Sequence, residues 1–129
     1  MDRASVGILT TENRDKFLLL LRPKDDETIR DKWTFVAGTI DEGETPLETI
    51  KREVEEELQF DSTSIKFTPI GESKRKNLHL FYFVGIMKDE EVPILNNENV
   101  DWGWFRMDKL PKKTFNEAKK ILIKLFGDE

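Results

Sequence analysis

Glu53, Glu56 and Glu57 stand close together in a segment that opens on Gly38 and carries Glu44 and Arg52 in between. A glycine loop leading into a helix crowded with glutamates is a sound way to hold a divalent metal ion against a pyrophosphate. Only oxygen ligands are on offer, which favours hard ions such as Mg²⁺ or Mn²⁺ over zinc. At about 100° per residue, the three glutamates share roughly a 100° arc of a helix. That arc borders an apolar stripe of Leu47, Ile50, Val54 and Leu58, so the carboxylates should stand at the edge of the core, on the wall of a cleft. Like charges at i,i+3 and i,i+4 repel by about a few tenths of a kcal/mol per pair, and a cation between them reverses that penalty. Many glutamate-rich helices are simply solvated; here Gly38, Glu44 and Arg52 accompany the cluster at set offsets, which a solvated face does not require.

Those offsets closely resemble the Nudix box, G-x5-E-x7-R-E-U-x-E-E-x-G-U with U aliphatic or bulky apolar: Gly38, Glu44, Arg52, Glu53, Val54, Glu56, Glu57 and Phe60 fall on its positions in order. Gln59 replaces the penultimate glycine, and Val36-Ala37 replaces the Pro-Gly that commonly precedes the motif glycine. A glycine at 59 would let the helix end left-handed, a conformation that costs another residue roughly 1–2 kcal/mol. Either this helix ends differently or the fold absorbs the strain. Neither departure removes a carboxylate, so altered loop shape rather than lost chemistry is expected.

The resemblance implies metal ligation by Gly38, through its carbonyl, and by Glu53, Glu56 and Glu57. Arg52 would orient the carboxylates, and Glu44 would pair with Arg52 or brace the loop. It further implies a metal ligand or general base at Glu98, which lies in Asn96-Asn97-Glu98-Asn99 shortly before Trp102-Gly103-Trp104-Phe105. Glu53 is the rival base. Arg22 matches a basic residue that family members set against substrate phosphate; Arg75 is a looser candidate, beside Lys24, Arg30 and Lys76. The implied activity is Mg²⁺-dependent (or Mn²⁺-dependent) hydrolysis of the pyrophosphate linkage in a nucleoside diphosphate-X or nucleoside triphosphate. Its alternative is a nucleotide-binding or regulatory module without catalysis. Leu18 to Arg22 echoes the start of the family's coenzyme A motif, but the remainder is absent, and X stays open. Homodimerisation, common among similar proteins, is also left open.

The elements that must position these residues follow from periodicity. Ala4 to Thr10 and Lys16 to Arg22 read as paired strands, and Trp33 to Ala37 as a buried strand leading into Gly38. Ser64 to Glu72 and Leu78 to Met87 read as a pair around Ser73-Lys74-Arg75-Lys76-Asn77, and Trp102 to Met107 as a further strand. Thr45 caps the first helix, Pro46 suits its first position and Glu48 completes a capping box. Thr114 and Glu117 form a second such box, with Phe115, Ala118, Leu122 and Leu125 as its stripe and Gly127 as its stop. Mixed strands with two amphipathic helices predict an α+β fold, an α/β/α sandwich of a mixed β-sheet flanked by helices. The resemblance implies the same Nudix-like architecture. His79, the only histidine, sits among Leu78, Leu80, Phe81 and Tyr82, where a structural role in a strand is expected. A Ser-His-Asp or two-histidine mechanism therefore has little support. Trp33 is expected in the core.

A chain of 129 residues suits one domain, residues 1–129, with a core that needs no staples. With 37% hydrophobic and 36% charged residues, it reads as soluble. No apolar run approaches the roughly 20 residues that span a bilayer, and the N-terminus lacks a signal-peptide pattern. The absence of cysteine excludes a disulfide framework, a thiolate metal site and a cysteine nucleophile, and suits the expected cytoplasmic location. A formal charge of −5 argues against broad binding to nucleic acid or anionic membrane. Small phosphorylated ligands are still allowed, because bound cations reverse the local sign.

Overall fold

The computed structural model describes residues 2–127. In chain order it contains β1 (Asp2–Thr11), β2 (Lys16–Leu21), β3 (Trp33–Thr34), β4 (Val36–Thr39), α1 (Pro46–Leu58), β5 (Lys66–Arg75), β6 (Leu78–Met87), β7 (Asp101–Arg106) and α2 (Asn116–Phe126). The strands make one mixed sheet. β1 runs parallel to β6 along its length, while β5 pairs antiparallel with β6 and β7 with β2. The other edge of β1 is shared: Ala4 to Gly7 pair with β4, and Thr10 pairs with Phe17 of β2.

β1 and β2 are apolar on both faces, as strands covered from both sides must be. Side chains alternate along a strand, so successive residues enter different layers. Leu9, Leu18 and Leu20 join Ile50, Val54 and Leu58 of α1, whereas Ile8, Phe17 and Leu19 join Ala118 and Leu122 of α2. The result is an α+β sandwich, a mixed sheet between two helices, as the patterning predicts.

The capping box of α1 is complete. Glu48 N–H donates to Thr45 Oγ1 at 3.1 Å, Thr45 N–H donates to Glu48 Oε1 at 2.8 Å, and Pro46 opens the helix. The helix first meets the sheet at Ile50, which lies over Gly7; Leu47, a turn earlier, stays 38% exposed and leaves the expected stripe. At the far end Gln59 adopts φ 57°, ψ 35°, the left-handed conformation that the motif glycine would supply. Its N–H bonds Glu55 O at 3.1 Å, and Phe60 N–H reaches Val54 O at 3.3 Å before its ring enters the core. The fold absorbs the strain.

Three local expectations are corrected. The strand expected over Trp33 to Ala37 is broken at buried Phe35, because β3 pairs with β2 while β4 pairs with β1 and the chain must change partner between them. β5 continues to Arg75, paired with Leu78, so the hairpin turns on Lys76 and Asn77 alone. The second capping box does not form. Thr114 Oγ1 donates to Pro111 O at 2.7 Å, Glu117 binds Arg75, and α2 begins only at Asn116, after Phe115 N–H has bonded Trp33 O at 2.8 Å. Leu125 is 39% exposed, so the buried stripe is Ala118 and Leu122. Gly127 does stop the helix, its N–H on Ile123 O, but with an extended φ of −73°. His79 stacks on Phe81 and lies 2.6 Å from Glu72. Trp33 is half-buried, edge-on to Phe105. Among the described residues no helix is long and apolar enough to cross a membrane.

Candidate metal centre

Gly38 of β4 and Glu53 of α1 are fitted to each other. A Cβ on residue 38 would overlap the Glu53 carboxylate, so only glycine lets that carboxylate lie against the strand. Arg52 then ties the loop between β4 and α1 to the helix. Its Nε donates to Glu44 Oε2 at 2.7 Å and its Nη2 to Glu44 Oε1 at 2.9 Å, a fork on one carboxylate. Nη1 donates to Glu53 Oε2 at 2.9 Å and Glu56 Oε1 at 3.2 Å, and Nη2 also reaches Thr39 O at 3.2 Å. Glu44 in turn accepts from Asp41 N–H at 3.0 Å and from the Thr49 hydroxyl at 2.9 Å, so it both pairs with Arg52 and braces the loop. The hydrogen bond from Arg52, then that from the Asp41 N–H, lowers the Glu44 carboxyl to about 2. The same bond to Glu44, with the charges of Glu53 and Glu56, raises Arg52 above its ordinary value.

Glu53 and Glu57 occupy one ridge of α1, as i,i+4 neighbours do, and Glu98 approaches them from the segment before β7. Each of the three offers a carboxylate oxygen within 4.8 Å of the others. Glu56 is not in this group; it shares the ridge of Arg52 and is half-exposed beside it. Glu57 is only 1% exposed and Glu53 6%. Burial, reinforced by the neighbouring Glu53 and Glu98 charges, pushes the Glu57 carboxyl well above the ordinary range. Burial also raises Glu53, against the lowering effects of Glu57 and Arg52. Glu57 Oε1 accepts from Asn99 Nδ2 at 2.9 Å, while Glu57 Oε2 has no protein partner. A buried, partnerless carboxylate oxygen amid like charges is costly unless a proton or a cation answers it. The all-oxygen donor set fits a hard divalent ion.

A cleft of about 680 Å³ is lined by Gly38, Glu53, Glu98, Arg22, Phe35 and Tyr82 among others. Arg22 Nη1 pairs with Asp26 at 3.3 Å, and its Nε is buried without a partner. Arg75 also lines the cleft, but both its terminal nitrogens go to Glu117. Lys24, Arg30 and Lys76 do not line it. The sequence reading passed over Thr49, Asp41 and Asn99. The i+5 spacing from Glu44 to Thr49 is too common to single out a hydroxyl, and only Asn99's adjacency to Glu98 pointed toward the site.

Comparison with known proteins extends over the whole fold. NudC of Erwinia tasmaniensis, an NAD-capped RNA hydrolase, is 30% identical over 79 residues, which is 61% of this chain but 30% of that protein. The nucleoside triphosphatase NudI of Klebsiella pneumoniae is 25% identical over 129 aligned residues, covering 90% of this chain and 91% of the relative. Among solved structures, the E. coli dihydroneopterin triphosphate pyrophosphohydrolase superposes with a TM-score of 0.77 at 18% identity, over 95% of this chain and 93% of the other. That degree of likeness speaks to the fold. The lineage is settled by the NUDIX domain family, whose model matches residues 1–126, from the start of β1 to the last turn of α2: this chain belongs to the Nudix family.

Proposed function

We propose that the protein is a divalent-metal-dependent hydrolase that cleaves the pyrophosphate linkage of a nucleoside triphosphate or a nucleoside diphosphate-X. The observation that carries this is the convergence of Glu53, Glu57 and Glu98 beside the cleft that Glu53 and Glu98 line, with Glu57 buried and one of its oxygens partnerless. These three carboxylates would hold Mg²⁺ or Mn²⁺, with the Gly38 carbonyl as a further candidate ligand. Such an ion would neutralise pyrophosphate charge and acidify a water.

The chain's own residues supply the rest. Arg52 fixes Glu53 through its 2.9 Å bond, which holds that carboxylate in place as a ligand. Glu98 is exposed and is assigned as the base. Water adds to phosphorus, the bridging oxygen departs with the electron pair of the broken P–O bond, and the water's proton passes to the Glu98 carboxylate. Arg22, with an unpaired Nε, is assigned to substrate phosphate. The cleft volume of about 680 Å³ suits a nucleotide-sized ligand. The names of two relatives, a nucleoside triphosphatase and an NAD-capped RNA hydrolase, support a nucleotide substrate.

The test is release of phosphate from a panel of nucleoside triphosphates, ADP-ribose, dinucleoside polyphosphates and a nucleotide sugar, coupled to phosphatase, with and without Mg²⁺. Turnover of one class, abolished by chelation, is expected. Nucleotide binding without turnover under any divalent metal would replace the hydrolase with a binding module, and unchanged nucleotide binding in excess chelator would remove the metal from the account.

A further inference from the structure

Glu53 and Glu57 sit on a helix, but Glu98 sits on the irregular segment between β6 and β7, so something must bring that segment to the helix in register. Backbone bonds tie it down at two points: Ile94 N–H to Leu58 O, and Val100 N–H to Leu21 O, both at 2.9 Å. Between them, Asn96 and Glu98 bond each other, which shapes the turn without attaching it to α1. The side-chain tie from this turn to the carboxylates of α1 is Asn99. It is 4% exposed, adjacent to Glu98, and its Nδ2 donates to Glu57 Oε1 at 2.9 Å.

We propose that Asn99 is a positioning residue, whose amide fixes the buried Glu57 carboxylate and thereby sets Glu98 opposite it, so that the carboxylates form one preassembled cation site. This rests on the metal-dependent reading above. An amide is the suitable group here. It donates to a carboxylate without adding charge, and it engages only one Glu57 oxygen, leaving Oε2 free. An aspartate would repel Glu57, and an apolar residue would leave both Glu57 oxygens without partners and the Glu98 turn without its side-chain tie to the carboxylates. Outer partners that orient metal-binding carboxylates act on affinity as well as on stability.

The experiment titrates chelator-stripped full-length protein with Mn²⁺ and reads free Mn²⁺ by electron paramagnetic resonance. Wild type, Asn99→Ala, Glu57→Gln and the double variant are compared, with circular dichroism confirming the fold of each. Asn99→Leu, which fills the volume without a donor, is read alongside in case the alanine variant is unstable. Loss of Asn99's amide is expected to weaken Mn²⁺ binding by about 10-fold or more, and to weaken it no further when Glu57 is already glutamine. Wild-type affinity in a folded Asn99 variant, even one with a lowered melting temperature, would reduce the contact to an ordinary structural hydrogen bond and overturn the proposal. Additive losses in the double variant would also overturn it, because Asn99 would then act by a route other than Glu57. Wild-type protein that binds no Mn²⁺ would overturn the metal site itself, and this proposal with it.

Discussion

At the scale of single residues, the site is governed by two close fits, Gly38 against Glu53 and Arg52 against Glu44. A methyl group at position 38 cannot coexist with the Glu53 carboxylate where it now lies. Gly38→Ala should therefore displace Glu53, cost about 1–3 kcal/mol in stability through overpacking, and sharply reduce metal-dependent turnover. Thermal melts and phosphate-release rates on the same preparation check both effects; a variant with unchanged turnover would show that Glu53's placement is dispensable. Glu57→Gln is nearly isosteric and removes a charge that burial disfavours. It should keep the fold while losing metal-dependent turnover. Rates close to wild type at limiting Mg²⁺ would remove Glu57 from the ligand set.

At the scale of elements, α1 is the part of the fold most legible in the sequence, and its end is where legibility stops. Thr45, Pro46 and Glu48 announce its start because capping is local chemistry, decided within one turn. Its end at Gln59 carries no such signal, since the left-handed conformation there is imposed by the burial of Phe60 rather than chosen by residue 59. Gln59 is exposed and touches nothing at the site, so Gln59→Gly should relieve the backbone strain and raise stability by about 0.5–1 kcal/mol, after part of the gain is lost to the freer unfolded chain. Chemical denaturation checks this. A destabilised variant would mean that the left-handed turn is held by more than its backbone. The same contrast explains the other departures. Phe35 breaks its strand because the residues on either side of it pair with different strands, and Thr114 fails to cap α2 because its hydroxyl and N–H both bond Pro111 O while its two neighbours bond Trp33. Asn99 escaped notice for a like reason: its partner Glu57 is far off in sequence, and an asparagine-rich loop looks solvated until its burial is known.

At the scale of the whole molecule, the metal-free protein carries two opposed pH dependences. Glu44, whose folded value of about 2 lies below its ordinary 4.5, contributes stability that is present above about 4.5 and lost as pH falls toward 2. Glu57 acts in the other direction. Its folded value is raised, so between 4.5 and that value the folded state holds a proton that the unfolded state has released. Stability must then fall as pH rises through this window, by about 1.4 kcal/mol per pH unit for one full proton. In chelator, the melting temperature should therefore peak near the ordinary carboxylate range and decline toward neutral and alkaline pH, less steeply in Glu57→Gln. Saturating Mg²⁺ should reverse the decline, because the ion takes the proton's place on the ionised carboxylates; at a hundredfold excess over its dissociation constant it adds about 2.7 kcal/mol. Binding should release protons below the folded value of Glu57 and tighten as pH rises. Melting curves across pH, with chelator and with Mg²⁺, decide the matter. Coincident curves for wild type and Glu57→Gln in chelator, or no Mg²⁺ stabilisation above neutral pH, would mean that the buried carboxyl of α1 is not linked to metal, and that the cluster it forms with Glu53 and Glu98 serves the fold alone.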